Sequence, residues 1–305
     1  MIFQIRPSRL NGTVRIPTSK SHTIRAFLLS ALTGSRSIIR HPLQSLDTRA
    51  ALNILNAIGT KVEEEEDFWV IDAIDRDQIP DGLELDVMNS GTTLRIATGI
   101  LALASEHTAN ILTGDQQLQR RPCQPLIDAL NQLGANVESL RGNGCAPLRV
   151  RGQLKGGSVS IECPTSQYLT ALLIAATAAE GVTEIHVPLL NEKPYIDITL
   201  YWLRHYQNAG IEFNSDYSWF KVTPNGKFRP FEATIPADYS SAAFFFAAGA
   251  IPGNQIKALG LKFDDPQPDK AFLDFIEEMG ARVERREPDT VVVTGRELHG
   301  GEFDL

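Results

Sequence analysis

The chain has 305 residues, of which 43% are hydrophobic and 22% charged, and its formal net charge is −8 at pH 7. This composition excludes global disorder, and the length allows two domains with separate cores. The acidic balance argues against a general nucleic-acid-binding protein, which needs a basic face. No leader pattern opens the chain and no stretch approaches the roughly 18 apolar residues of a membrane span, so we expect a cytoplasmic protein without membrane attachment.

Four segments of the chain end alike, in an apolar-periodic helix that closes on a glycine and leads into a strand-like stretch. The segments are ALNILNAIGTKV, LIDALNQLGANV, TLYWLRHYQNAGIEF and FLDFIEEMGARV. Their glycines lie about 70 to 76 residues apart, at Gly59, Gly134, Gly210 and Gly280. We expect each glycine to provide a left-handed cap at the helix C-terminus.

A smoother, almost wholly apolar helix is predicted before each of these segments, starting at Ala26, Leu94, Leu169 and Ser241. A helix that is apolar all round should be buried. Short strands such as SIIR and ANILTG join the two helices of a unit, and a strand pair such as KVEEEEDFWVID follows. The pattern predicts an α/β protein of repeated units around buried helices, although four chance occurrences of a common helix–glycine–strand pattern are the alternative.

The starts of the apolar helices are rich in Ser, Thr, Asn and Asp, in the segments TSKSHTIR, NSGTTLR, PTSQY and DYSS. Helix capping alone would explain any one of them. Lys20 and Arg25 add positive charge, however, and Gly91 would let a ligand approach the backbone. Helix N-termini with hydroxyls and cations favour anions, so several of them around one cleft predict a phosphorylated ligand. The pair Arg120 and Arg121 adds loop cations, although a solvated pair is the commoner state.

The cysteines and histidines show no pattern typical of a metal site. Cys123, Cys145 and Cys163 form no CxxC pair, and the six histidines form no HxxxH or HExxH pair. We therefore expect free thiols, no disulfide framework and no metal.

Six segments, in this order, resemble the motifs of the enolpyruvyl transferase family, and within it the branch that acts on shikimate 3-phosphate. They are SKSHTIRA, NSGTTLR, LTGDQQLQRRP, TSQYLTALL, KPYIDIT and DYSSAAFF. The resemblance covers essentially the whole chain and implies an inside-out α/β barrel, in which each of two domains has three βαβαββ units around buried helices. It implies one complete domain at 19–233 and part of a second at 1–18 and 234–305. Because family members continue for two more units, we expect this chain to be C-terminally incomplete and to expose apolar surface near 234–305.

The resemblance also implies a reaction. The enolpyruvyl group of phosphoenolpyruvate is transferred to the 5-hydroxyl of shikimate 3-phosphate, phosphate is released, and no metal or other cofactor takes part. The parent enzyme is expected to be a monomer, and its main acid and base carboxylates lie beyond the end of this chain. One alternative is a fragment that binds shikimate 3-phosphate without catalysis. Another is a transferase acting on UDP-N-acetylglucosamine, which normally has a reactive cysteine in the loop before its arginine–proline pair, whereas Cys123 lies beyond Pro122.

Residues that match substrate-binding positions of the family fall into two groups. On the shikimate 3-phosphate side they are Lys20, Ser21, Arg25, Thr165, Ser166, Gln167 and Tyr195, and on the phosphoenolpyruvate side Asn89, Gly91 and Arg121. Lys20 matches a lysine that contacts both substrates and is a candidate proton donor. Glu192 replaces a ligand-contacting serine, and since an acid would repel a phosphate, it receives no role.

Overall fold

The computed structural model describes residues 4, 8–224 and 228–303. The opening residues 1–3 and 5–7 of the predicted partial domain and the chain end at 304–305 lie outside the described residues. The chain divides into two compact units, Lys20–Ile235 and a second one formed by the described parts of 1–19 and 236–305. The domain limits inferred from the family resemblance, 19–233 with the remainder, stay a prediction.

The described residues form eight α-helices and sixteen strands. The helices are α1 Lys20–Ala31, α2 Leu46–Ala57, α3 Gly91–Leu101, α4 Gln124–Gln132, α5 Ser166–Thr177, α6 Pro194–Tyr201, α7 Tyr239–Ala250 and α8 Phe272–Glu278. The strands are β1 Asn11–Arg15, β2 Ser37–Arg40, β3 Val62–Glu64, β4 Phe68–Ile71, β5 Glu84–Asp86, β6 Ala109–Thr113, β7 Asn136–Ser139, β8 Leu148–Arg151, β9 Gly157–Cys163, β10 Thr183–Leu190, β11 Gly210–Phe213, β12 Trp219–Thr223, β13 Glu232–Thr234, β14 Gln255–Leu259, β15 Arg282–Arg286 and β16 Thr290–Thr294.

The strands form four sheets of four strands with one shared topology. In each sheet a parallel pair is extended by two antiparallel strands. The orders are β13-β2-β4-β3, β5-β6-β8-β7 and β9-β10-β12-β11 in the unit Lys20–Ile235, and β1-β14-β16-β15 in the other unit. The predicted repeated α/β fold is thereby confirmed, with three units in one body and one in the other.

Two strands pair far from their neighbours in sequence. β1 directly precedes α1, yet it pairs in parallel with β14, with Asn11 opposite Gln255. β13 directly precedes α7 and pairs in parallel with β2, with Glu232 opposite Ile38. The chain therefore starts in one sheet, builds the three sheets of Lys20–Ile235, and returns to complete the first sheet.

The helices α1, α3 and α5 are buried, as their apolar sequences predict. They begin earlier than the apolar runs do, because hydroxyl residues cap them: Ser90 accepts a hydrogen bond from the Thr93 amide, and Thr165 accepts one from the Gln167 amide. The polar segments of the sequence thus form the first helical turns.

The prediction that the fourth apolar helix is buried is wrong. Phe244 on α7 is 81% exposed. The buried residues of α7 follow a single stripe that includes Ala242, Phe246 and Gly249, so the helix packs on one side only. The expected exposed apolar surface within 234–305 is present.

Three of the four predicted glycine caps are confirmed. Gly59, Gly134 and Gly280 have φ values of +102°, +104° and +110°. Gly210 instead begins β11, because α6 continues into a π-helical segment, Trp202–Tyr206, and the left-handed position falls on Asn208, whose φ is +49°. The cap prediction is wrong there, and asparagine is one of the few residues other than glycine that adopts this conformation readily.

Within the described part of the chain, no helix is long and apolar enough to cross a membrane. The same residues contain no group of three or more His, Cys, Asp or Glu arranged to hold a metal ion. Cys123, Cys145 and Cys163 are buried free thiols.

Candidate anion site at three helix N-termini

The N-terminal ends of α1, α3 and α5 are joined by arginine side chains. Helix α3 packs against both α1 and α5 in the unit Lys20–Ile235. Arg25 of α1 donates to Thr170 of α5, and Arg95 of α3 donates to Gln167 of α5. The three polar helix starts therefore lie close together.

Arg25 is a buried cation whose acceptors are all neutral. Arg25 is 2% exposed to solvent. Nε donates to Thr199 Oγ1 at 2.9 Å, Nη1 to the Ser21 carbonyl at 3.0 Å, and Nη2 to Thr170 Oγ1 at 3.3 Å and the Tyr195 carbonyl at 3.4 Å. Burial lowers the pKa of Arg25 to about 10, so the group remains charged at neutral pH. A buried charge without a counterion is costly, and a bound anion would offset that cost.

Gly91 is the point where two guanidinium groups meet the start of α3. A Cβ atom on Gly91 would lie 2.5 Å from Arg95 Nη1, 2.9 Å from Arg121 Nη1 and 3.5 Å from Gln167 Oε1. Arg121 is held in place because its Nη2 donates to Asn89 Oδ1 at 2.5 Å. The absence of a side chain at Gly91 therefore allows two positive charges to share one small volume.

The loop after β6 is fixed by hydrogen bonds from Asn89 and by a bond within the loop. Asn89 Nδ2 donates to Asp115 Oδ2 at 2.7 Å and to Gln117 Oε1 at 2.9 Å. The Leu118 amide donates to Asp115, and this bond is the main reason why the pKa of Asp115 is lowered. Arg120 and Arg121 are both exposed, but it is Arg121 whose guanidinium bonds to Asn89 and lies beside Gly91.

Arg95 belongs to the NSGTTLR motif, and no role was expected for it from the sequence. It is 5% exposed and lies one helical turn after Gly91. Its Nη1 donates to Gln167 Oε1 at 3.0 Å, its Nη2 donates to the Pro122 carbonyl at 3.1 Å, and its guanidinium lies 5.5 Å from the centre of the Tyr168 ring. Its buried Nε has no hydrogen-bond partner. The spacing of four residues from Gly91 was the available sequence signal, since such residues share a helix face.

Lys20 begins α1 with a half-exposed side chain. Its Nζ lies 3.9 Å from Asp47 Oδ2, and the Lys20 side chain is 49% exposed. An ion pair this long and exposed holds the ammonium only weakly, so a ligand can recruit it. Asp47 lies in the first turn of α2, and like Arg95 it is a residue of the site that the sequence did not reveal.

Thr165 and Ser166 point their donors at Glu192 rather than at open solvent. Glu192 Oε2 accepts from Thr165 Oγ1 at 3.1 Å, from the Ser166 amide at 3.1 Å and from Ser166 Oγ at 2.9 Å. Sequence reasoning gave Glu192 no role. The structure places its carboxylate among the donors predicted to hold a phosphate.

A cavity of about 910 Å³ lies at the other ends of the same helices. It is lined by residues that follow α1, α3 and α5, and by the carboxylates of Asp75, Asp77, Glu106 and Glu180. Helix C-termini and carboxylates both repel anions. The residues predicted to bind phosphate lie instead near the N-terminal ends of the helices, where the positive end of the helix dipole favours an anion.

Comparisons with known proteins agree with this architecture. The chain resembles a solved EPSP synthase from Acinetobacter baumannii with a TM-score of 0.79 at 23% identity, over 95% of this chain and 66% of that one. A 3-phosphoshikimate 1-carboxyvinyltransferase from Acetivibrio thermocellus is 42% identical, and one from Methanothrix thermoacetophila 41%, each over 100% of this chain and 71% of the relative. The chain thus spans 71% of the length of these curated relatives and just under two thirds of the solved chain.

Repeated βαβαββ units around buried helices give this chain the inside-out α/β fold of the solved EPSP synthase. The profile of EPSP synthase (3-phosphoshikimate 1-carboxyvinyltransferase) matches residues 5–305. The chain belongs to the EPSP synthase family.

Proposed function

We propose that this chain carries the shikimate 3-phosphate side of a cytoplasmic 3-phosphoshikimate 1-carboxyvinyltransferase of the shikimate pathway. The enzyme would transfer the enolpyruvyl group of phosphoenolpyruvate to the 5-hydroxyl of shikimate 3-phosphate and release phosphate. The observation that carries the proposal is Arg25, a buried guanidinium with only neutral hydrogen-bond acceptors, at the convergence of three helix N-termini.

Arg25 and the residues around it would bind shikimate 3-phosphate. Arg25 reaches α5 and α6 through Thr170, Thr199 and the Tyr195 carbonyl, so its charge is fixed in position. A fixed cation contributes more than a mobile one, because no reorganisation is needed when the anion arrives. Ser21 and Tyr195 would line the same ligand from α1 and α6.

The residues around Gly91 would bind phosphoenolpyruvate. Arg121 and Arg95 place two guanidinium groups beside a backbone that has no side chain, and Asn89 orients Arg121. Phosphoenolpyruvate carries both a phosphate and a carboxylate, and guanidinium groups bind either one with two parallel hydrogen bonds. Gln167, held by Arg95, would connect the two ligands.

Lys20 would move a proton in the reaction. In the addition step the 5-hydroxyl oxygen bonds to C2 of phosphoenolpyruvate, C3 gains a proton, and the hydroxyl proton is removed. In the elimination step phosphate leaves C2 and C3 returns its proton. The weakly held ammonium of Lys20, beside Asp47, would contact both ligands and donate a proton.

Calorimetry with shikimate 3-phosphate, followed by a phosphate-release assay with both substrates, tests the proposal. Binding with turnover is expected for a full-length enzyme that contains these residues. Binding without turnover would favour the alternative of a binding fragment for the 305-residue chain. A chain that binds neither substrate would refute both.

The alternative that acts on UDP-N-acetylglucosamine is not favoured. Cys123 caps α4, is fully buried, and has a raised pKa because of its burial. A thiol in that state is a poor nucleophile. Modification of Cys123 by a thiol reagent that phosphoenolpyruvate protects against would reverse this conclusion.

A further inference from the structure

Glu192 lies on a short connection that is held on both sides. The Asn191 amide donates to the Cys163 carbonyl at the end of β9, at 3.0 Å, and the Tyr195 amide donates to the Glu192 carbonyl at 3.0 Å. Glu192 itself has a φ of +58°, in the left-handed region that few residues other than glycine adopt. The backbone thus fixes the direction from which this side chain approaches α5.

A single oxygen of Glu192 receives all three donors at the start of α5. The distances are 3.1 Å from Thr165 Oγ1, 3.1 Å from the Ser166 amide and 2.9 Å from Ser166 Oγ. Hydroxyls and an amide at a helix N-terminus are the donors that a phosphate oxygen uses. The carboxylate therefore occupies the position that the proposed function gives to the substrate phosphate.

The carboxylate and a phosphate oxygen cannot use these donors together. They would overlap sterically, and the two negative charges would repel each other. Glu192 is exposed, so its side chain can rotate into solvent without disturbing the core. Displacement is consequently a side-chain event.

We propose that Glu192 is an internal competitor for the phosphate subsite of α5. This inference rests on the proposed function. In the ligand-free chain the Glu192 carboxylate occupies the Thr165 and Ser166 donors, and it withdraws when the phosphorylated ligand binds. Glu192 therefore sets the affinity for shikimate 3-phosphate and leaves the affinity for unphosphorylated shikimate unchanged. A ligand that binds only when Glu192 is withdrawn has its affinity reduced by the fraction of time the subsite is open.

Three variants test the competitor. Glu192→Ala removes the carboxylate without adding a ligand contact, and Glu192→Gln keeps the size but removes the charge. Glu212→Ala makes the same charge change on the edge strand β11, which two strands separate from β9. We expect Glu192→Ala to bind shikimate 3-phosphate about 10- to 100-fold more tightly than the parent, with Glu192→Gln between the two and Glu212→Ala unchanged.

The comparison with shikimate excludes a general effect. All four proteins should bind shikimate equally well, because it has no phosphate. The melting temperature of the ligand-free Glu192→Ala protein should be no higher than that of the parent, because the variant loses the hydrogen bonds that Glu192 makes to the start of α5. Shikimate 3-phosphate binding that is unchanged or weaker in both Glu192 variants would overturn the inference and make Glu192 a structural cap.

Inorganic phosphate separates failure of the inference from failure of the proposed function. If no variant binds shikimate 3-phosphate, the proposed function fails. Thermal melting with inorganic phosphate at constant ionic strength then decides the question of Glu192. Larger stabilisation of Glu192→Ala than of the parent and Glu212→Ala supports the competitor, and equal stabilisation overturns it.

Discussion

Arg25 illustrates how a single residue can favour binding over stability. Its guanidinium lies in the core with no carboxylate among its acceptors, which are Thr199, Thr170 and the carbonyls of Ser21 and Tyr195. Desolvation of a charge opposes folding, whereas a neutral apolar replacement would not carry that cost. The charge is therefore better explained by ligand binding than by packing.

Replacement of Arg25 by methionine should separate these two effects. We expect Arg25→Met to weaken shikimate 3-phosphate binding by about 100-fold or more, since a buried charged hydrogen bond to the ligand is lost. The free energy of unfolding should change by less than about 1 kcal/mol, because the cost of burying the charge disappears as well. Calorimetry and urea unfolding measure the two quantities. Arg204→Met removes an exposed arginine that also bonds to a carbonyl, and it should leave binding unchanged.

Gly91→Ala should alter the phosphoenolpyruvate side with little effect on folding. The new Cβ would meet the ends of two flexible side chains, those of Arg95 and Arg121, which must move away. We expect KM for phosphoenolpyruvate to rise by about tenfold, as loss of one charged contact would cause.

Gly99→Ala on the same helix is the contrasting variant. Its Cβ would lie 2.9 Å from the Ala171 carbonyl oxygen, a backbone atom that cannot move cheaply. It should therefore cost about 1–3 kcal/mol of unfolding free energy. Equal losses of stability in both variants, measured in urea, would show that Gly91 serves packing instead.

Most residues of the candidate site could be proposed individually from the sequence, but their contacts could not. Lys20, Arg25 and Gly91 stand out in the sequence because helix starts with cations and glycine suit anions. Arg95 and Glu192 did not receive roles, because their importance depends on which distant residues they meet: Arg95 meets Gln167, and Glu192 meets Ser166. Such pairings are set by the packing of α3, α5 and α6, which local pattern does not specify.

At the scale of elements, the amphipathic helices end in a common way. Gly59 donates to the Asn56 carbonyl at 3.2 Å and Thr60 donates to the Leu55 carbonyl at 2.9 Å, the two bonds of a Schellman motif. Gly134 and Gly280 make equivalent bonds. The glycine supplies the left-handed backbone that lets both carbonyls be satisfied.

The comparison of Gly59→Ala with Gly210→Ala isolates this backbone effect. A Cβ at Gly59 would meet nothing within 4 Å, but the φ of +102° strains any other residue. At Gly210 the φ is not left-handed, and a Cβ would make ordinary contact with Thr223 at 3.4–3.5 Å. We expect Gly59→Ala to lower the unfolding free energy by about 1–2 kcal/mol and Gly210→Ala to change it by less than about 0.5 kcal/mol. Similar urea midpoints for the two variants would contradict the assignment of the caps.

Helix patterns predicted three caps and three buried helices but failed at two elements. A residue count cannot reveal the π-helical segment Trp202–Tyr206, which moves the left-handed position from Gly210 to Asn208. The apolar sequence of α7 likewise does not say that Phe244 faces outward, because burial depends on what packs against each side. Hydrophobicity reports the tendency of a segment to be buried, and the partner is a tertiary property.

At the scale of the whole molecule, thiols and phenols with raised pKa values make the free energy of unfolding depend on pH in the alkaline range. Burial raises the pKa of Cys163 to about 12 and that of Cys123 in the same direction. Burial, followed by a hydrogen bond to Asp197, raises the pKa of Tyr217 to about 12. Unfolded chains lose these protons first, from about pH 9 for cysteine and pH 10 for tyrosine.

The contribution of these groups to stability should therefore be constant below about pH 9 and fall as pH rises towards 12, because the unfolded state then binds fewer protons than the folded state. We expect a loss of about 2–4 kcal/mol of unfolding free energy by pH 11. Urea unfolding at a series of pH values measures this. Cys163→Ala should flatten the fall, and a slope that this variant leaves unaltered would contradict the prediction.

The long-range pairing of β1 with β14 and of β13 with β2 has a consequence for the order in which the sheets can fold during synthesis. Leu10, just before β1, donates to Asn254 across 244 residues of sequence, so β1 leaves the ribosome long before its partner β14 exists. The three sheets of Lys20–Ile235 can close once β13 has been synthesised, while β1 still waits unpaired. Its sequence, Asn-Gly-Thr-Val-Arg, is polar enough to wait in water without recruiting another nascent chain. Strand β1 is thus translated early but built to be among the last of the described strands to fold.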